Sequence, residues 1–163
     1  MKNRNLDNMP NLISNTSDIF LQYLVFGADQ MKLEFPITIS TGGLIISGSL
    51  ISGDEYYSLL GQQIHESPYL EEGMAQSLQN VMNKFGKIYI DLREKQKNQV
   101  DSEEIDEDNQ DDDQPRTCFY HLKNTRFYAP SGETMKLGSG YKIWRGNLDH
   151  IDGYTFGKLE PES

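Results

Sequence analysis

KLEFPITISTGGLIISGSLIS, residues 32–52, is the stretch that decides the fold class. Leu33, Phe35, Ile37 and Ile39 alternate with Lys32, Glu34, Pro36, Thr38 and Ser40, the period of a strand with one buried face. Pro36 falls on the polar side, so its missing N–H is expected at an edge or a bulge. Thr41-Gly42-Gly43 supplies a turn and residues 44–51 a return strand, which together read as a hairpin. Gly48 inside the return strand marks a bend or bulge. Sharp bending of this kind is what a small closed barrel needs.

Upstream, SDIFLQYLVFGADQ (residues 17–30) has a helical pattern, with Ile19 above Tyr23 and Phe20 above Leu24. Asn15, Thr16 or Ser17 is placed to cap it, and Gly27 lies near its expected end. Downstream, Ser52-Gly53-Asp54-Glu55 is a capping box that starts a second helix with Tyr56, Leu59, Leu60 and Ile64. Pro68 ends that helix. A longer helix follows, with Met74, Leu78, Val81, Met82, Phe85, Tyr89 and Leu92 on one face. Gly86 within it costs about 1 kcal/mol relative to alanine, and Ile88, Ile90 and Leu92 also alternate as a strand would.

β-rich sequence resumes with TCFYHLKNTRFYA (117–129) and, after a loop, YKIWRGNLDHIDGYTFGKL (141–159). Asp152-Gly153 between Ile151 and Tyr154 is a hairpin signal, and the strand from Tyr154 to Leu159 is expected to close the barrel. The fold class is therefore α+β: a small bent β-barrel or β-sheet of SH3-like or Sm-like type, carrying an N-terminal helix. Residues 1–14 form a polar tail, and residues 15–160 one domain interrupted by a helical insert (66–97) and a disordered acidic loop (98–115).

Charge separates that loop from the rest. The 163-residue chain carries a net charge of −10. Nine carboxylates (Asp101, Glu103, Glu104, Asp106, Glu107, Asp108, Asp111, Asp112 and Asp113) fall within 13 positions that hold no basic residue. Without them 16 acidic residues face 15 basic ones. Mutual repulsion and scarce apolar side chains leave nothing there to offset the entropy of ordering. The tract lacks the central glycine and closing glutamate of a calcium loop, so it reads as a solubilising segment or as a spacer that tunes self-association through repulsion. The N-terminus has no apolar signal-peptide core and no run is long enough to span a membrane, which points to the cytoplasm.

Candidate chemistry is sparse. His65, His121 and His150 lie far apart, and the single cysteine, Cys118, sits three positions from His121, hence on the opposite face of a strand. No catalytic residue, metal site or cofactor is expected. Trp144-Arg145 has the composition of an interface hot spot and equally that of a core edge with a snorkelling arginine. Lys123, Arg126, Tyr128, Tyr141, Trp144 and Arg145 are the candidate interaction surface. With Lys142 its cations allow a weaker alternative, an Sm-like RNA-binding module.

GGLIISGSLISGDEYYSLL (42–60), HLKNTRFY (121–128), IWRG (143–146) and the Asp152-Gly153 segment ending in FGKL resemble, in that order, the gas vesicle accessory protein U (GvpU-like) family. The resemblance covers about residues 32–64 and 118–159, and leaves 66–116 outside. It implies a non-catalytic cytoplasmic protein, associated with gas vesicles, that assists their assembly or clustering. It further implies gas vesicle shell or other gas vesicle proteins as partners, together with copies of itself as a homo-oligomer.

Overall fold

The computed structural model describes residues 18–101, 118–135 and 142–159. The alternation at residues 33–40 is realised as β1, Phe35–Thr41, with Ile37 and Ile39 wholly buried. Gly42 and Gly43 both take positive φ (55° and 81°), which a two-residue hairpin turn demands and glycine supplies without strain. The chain returns as β2, Leu44–Ile51, in register from Thr41↔Leu44 to Phe35↔Leu50. Pro36 lies one residue outside the ladder on its other side, where pairing begins at Ile37↔Phe156.

Helix α1, Ile19–Met31, precedes the hairpin. Its cap is Asp18, whose Oδ1 accepts from Leu21 N at 3.0 Å, and not one of residues 15–17. The helix runs through Gly27, where a Cβ would lie 3.5 Å from the Phe35 ring, and ends where Lys32 turns left-handed at φ 53°. Leu21, Leu24, Val25 and Ala28 face inward, while Ile19 and Phe20 are exposed, so the buried stripe is offset from the one anticipated.

α2, Gly53–His65, follows β2, and α3, Glu72–Asp101, packs back along it. β3, Phe119–Tyr128, then pairs with β2. A register shift between Ser47 and Ser49 places Gly48 opposite two residues of β3, one of them Asn124 at φ 53°. A Cβ on Gly48 would lie 2.9 Å from the Lys123 carbonyl oxygen, so the glycine permits the bulge. β4 (Thr134–Met135) and β5 (Trp144–Asn147) share the outer edge of β3, and β6 (Gly153–Phe156) pairs with β1.

Two expectations are corrected here. The six-stranded antiparallel sheet does not close into a barrel. α1 covers the apolar face, so closure is not needed to remove it from water, and β6 ends against β1 alone. Asp152-Gly153 does not join paired strands either. Between β5 and β6 a 3-10 turn, Leu148–His150, carries Leu148 into the core. Burial of that leucine, together with the bond from Gly42 N to Asp152 Oδ2 at 2.7 Å, overrides the local turn preference. α3 reaches Asp101, past the 97 expected for the insert. The acidic residues 103–113 and Tyr141 lie outside the described residues.

Candidate interaction surfaces

Buried charged and polar groups converge where α1, α2 and α3 meet. Gly53 N donates to Asp29 Oδ1 at 2.7 Å and so caps α2 from α1. Ser52 Oγ also caps α2, accepting from Glu55 N at 3.5 Å. From α3, Arg93 donates through Nε to the Asp29 carbonyl oxygen at 2.6 Å and through Nη2 to Asp54 Oδ1 at 2.5 Å. Lys32 Nζ reaches Asp54 Oδ2 at 2.8 Å. Burial pushes the Asp29 carboxyl up to about 6, against the lowering effect of Gly53 N–H and Arg93. Burial acts on Asp54 too, but its bonds to Lys32, Arg93 and Ser52 outweigh it and hold that carboxyl below its ordinary value. Each charge is matched inside the cluster, whose effect is to clamp three helices.

Beside this clamp, His121 of β3 is wholly buried among the rings of Tyr56, Tyr57 and Tyr89, at 4.7, 6.1 and 5.7 Å. Neither ring nitrogen has a hydrogen-bond partner among the described residues. Burial, with the nearby Arg145 charge, pushes the imidazole down to about 3, so it is neutral and packs as a flat ring among the tyrosines. Cys118 is exposed. A cleft of about 340 Å³ lies between the start of α1 and the start of β6. Its Asp18 accepts from Leu21 N and from Tyr154 OH at 2.9 Å. Among the described residues no group of His, Cys, Asp and Glu is arranged to hold a metal.

The residues singled out from the sequence are only partly brought together. Lys123, Arg126, Tyr128 and Arg145 project from the sheet face opposite α1, as their pairings with Ser49, Ser47, Ile45 and His121 require. Lys123 is held by Glu34 and by Glu55 Oε1, the latter at 2.6 Å; this draws Glu55 away from the capping box. Tyr128 OH donates to the Leu159 carbonyl oxygen at 3.4 Å. The Arg145 guanidinium lies 3.6 Å from the centre of the Phe119 ring. Trp144 is on the other face, half-buried and edge-on to Phe127 at 5.4 Å, where it completes the core. With no barrel, and with Lys123 neutralised, the RNA-binding alternative finds no support.

Two exposed apolar surfaces were not assigned to a site by sequence reasoning. Along the β6 edge, Phe20 stacks on Tyr154 (6.5 Å) and Phe35 meets Phe156 (6.2 Å), with Met31 and Leu33 also exposed. On α3, Met74, Leu78, Val81, Phe85 and Ile88 are 57, 37, 40, 45 and 51% exposed. The helix instead turns Ala75, Gln79, Met82, Gly86, Tyr89 and Arg93 inward. Gly86 lies against α2, where a Cβ would meet the Asp54 carbonyl oxygen and Tyr57 Cβ at 3.5 Å, an ordinary packing contact.

A sheet clad by helices on both faces, with its polar cluster satisfied and two apolar surfaces exposed, defines an α+β protein. The family model described as gas vesicle protein GvpU-like matches residues 18–159. The chain belongs to this GvpU-like family of gas vesicle proteins. No curated protein and no solved structure matches it. Among the described residues no helix is long and apolar enough to cross a membrane.

Proposed function

We propose that this protein is a non-catalytic gas vesicle accessory factor that gathers vesicles in the cytoplasm by binding their shell and associating with itself. The observation that carries this reading is the pair of apolar surfaces, one along β6 and one along α3, on separate elements. Bridging two large particles needs at least two contacts per linking unit, and several weak ones give avidity without any single strong site. Arg126, Tyr128 and Arg145 add polar contacts on the face beside α2, and the acidic tract opposes association through repulsion that salt screens. Removing residues 103–113 then strengthens association and flattens its salt dependence; an unchanged salt response removes the tract from the mechanism.

The direct test mixes the purified full chain with purified gas vesicles. Co-flotation of protein with vesicles, and clusters in electron micrographs that grow with protein concentration, are the expected results. Vesicles that stay dispersed and float without the protein overturn the reading.

A further inference from the structure

The apolar stripe on α3 has a period of its own. Leu78, Phe85 and Leu92 recur every seven residues, and so do Met74, Val81 and Ile88. The two series interleave at spacings of four and three, the seam of a coiled coil. It runs from residue 74 to 92, about 28 Å of helix. α2 covers the neighbouring side of α3, where Gln79, Met82, Gly86 and Tyr89 lie, and leaves Met74, Leu78, Val81, Phe85 and Ile88 of the seam exposed, with Leu92 half-buried. Tyr57 of α2 stacks on Phe85 at 5.5 Å. Leu60 and Ile64, on the same face of α2 as Tyr57, are likewise only half-buried.

We propose that this seam is a self-association surface on which α3 of a second copy packs antiparallel, the two helical hairpins forming a four-helix layer. Charge selects the partner and its direction. In the antiparallel register that sets Phe85 against Ile88 of the second copy, Val81 meets Leu92. The same register places Lys84 beside Asp91 on the flank that α2 leaves open. By two-fold symmetry each contact occurs twice. Lys84 and Asp91 are exposed, and no ion pair engages either among the described residues. A parallel pair would instead drive Lys84 toward the flank occupied by Tyr89 and the partner's α2. The surface is thus complementary to itself in one orientation.

The proposal gives a surface to the self-association assumed in the proposed function, and its test is made without vesicles. Sedimentation of the full chain over a range of concentrations should show a monomer–dimer equilibrium. Val81→Ser with Ile88→Ser should weaken it at least tenfold. Lys84→Asp alone and Asp91→Lys alone should each weaken it several-fold, and the two together should restore it, because the exchanged charges face each other again. A wild-type chain that stays monomeric, a serine variant that associates as before, or a double swap no better than either single one overturns the proposal. Co-flotation of the serine variant separates the two ideas: retained binding by a monomeric variant shows that the shell uses another surface, whereas lost binding by a variant that still dimerises like wild type assigns the stripe to the shell and overturns the self-pairing.

Discussion

Beneath α1 the sheet presents Ile37, Ile39, Ile46, Leu50, Leu122 and Phe127 to Leu21, Leu24, Val25 and Ala28, an apolar layer that Tyr120 and Trp144 complete. On the other face α2 and α3 meet the sheet through His121, Tyr56 and Tyr89, and meet each other at Gly61 and Gly86. The Asp29–Asp54–Arg93 cluster then ties them to α1. One layer is held by removal of hydrocarbon from water; the other by close backbone approach and charge-assisted hydrogen bonds. The second manner of packing leaves the most apolar stripe of α3 outside. Where polar groups do the holding, apolar side chains remain available for a partner.

The largest expected effect tests the polar clamp. Arg93→Met removes a buried cation and leaves Asp54 with Lys32 and Ser52, and breaking a buried pair in this way costs about 3–5 kcal/mol. Exchanging Asp54→Asn in the same chain should recover part of the loss. A denaturant midpoint within error of wild type for Arg93→Met would show that the clamp contributes little. In the apolar layer, Leu122→Ala should cost about 2–5 kcal/mol through lost transfer energy and a cavity. No partner change should rescue it. If a second-site exchange did, the contrast between the layers would be blurred.

The pH response separates the layers further. His121 is neutral in the fold down to about 3, whereas the unfolded chain protonates near 6.5. Stability is therefore lost on this account as pH falls through that window. Asp29 keeps its proton up to about 6 in the fold but releases it near 3.8 when unfolded, so stability is lost on that account as pH rises from about 4 to 6. Each slope approaches about 1.4 kcal/mol per pH unit, and between pH 4 and 6 they oppose. The wild-type midpoint should change little over that range. His121→Phe, which keeps a ring among the tyrosines, should become more stable as pH is lowered from 6 to 4. A flat profile for the variant would remove Asp29 as the opposing group.

The contrast also explains what was legible in the sequence. The β1–β2 hairpin, its Gly42-Gly43 turn and the bend at Gly48 followed from alternation and backbone sterics, which are local. α3 was legible as a helix, and Met74, Leu78, Val81 and Phe85 as part of one of its faces, but the pattern did not show that these four are left exposed. Periodicity tells which side chains avoid water, not what covers them within one copy. The clamp joins Asp29, Asp54 and Arg93 across separations of up to 64 residues, and no spacing rule reaches that far. Asp152-Gly153 misled because Leu148, four residues earlier, is drawn into the core and sends β6 to the other edge of the sheet.

The smallest expected effect is the one that best isolates α3. Within a single copy, Val81 and Ile88 touch water over much of their surface. Exchanging both for serine removes little that folding buries, and the change in stability of the dilute monomer should stay within about 0.5 kcal/mol per site. At high concentration the comparison shifts, because anything that binds only the folded chain raises its apparent stability by mass action. Wild-type melting temperature should therefore climb with protein concentration, while that of the serine variant stays constant. A large loss already at high dilution would mean that the stripe is part of the core of one copy. The second layer would then rest on hydrocarbon burial as the first does.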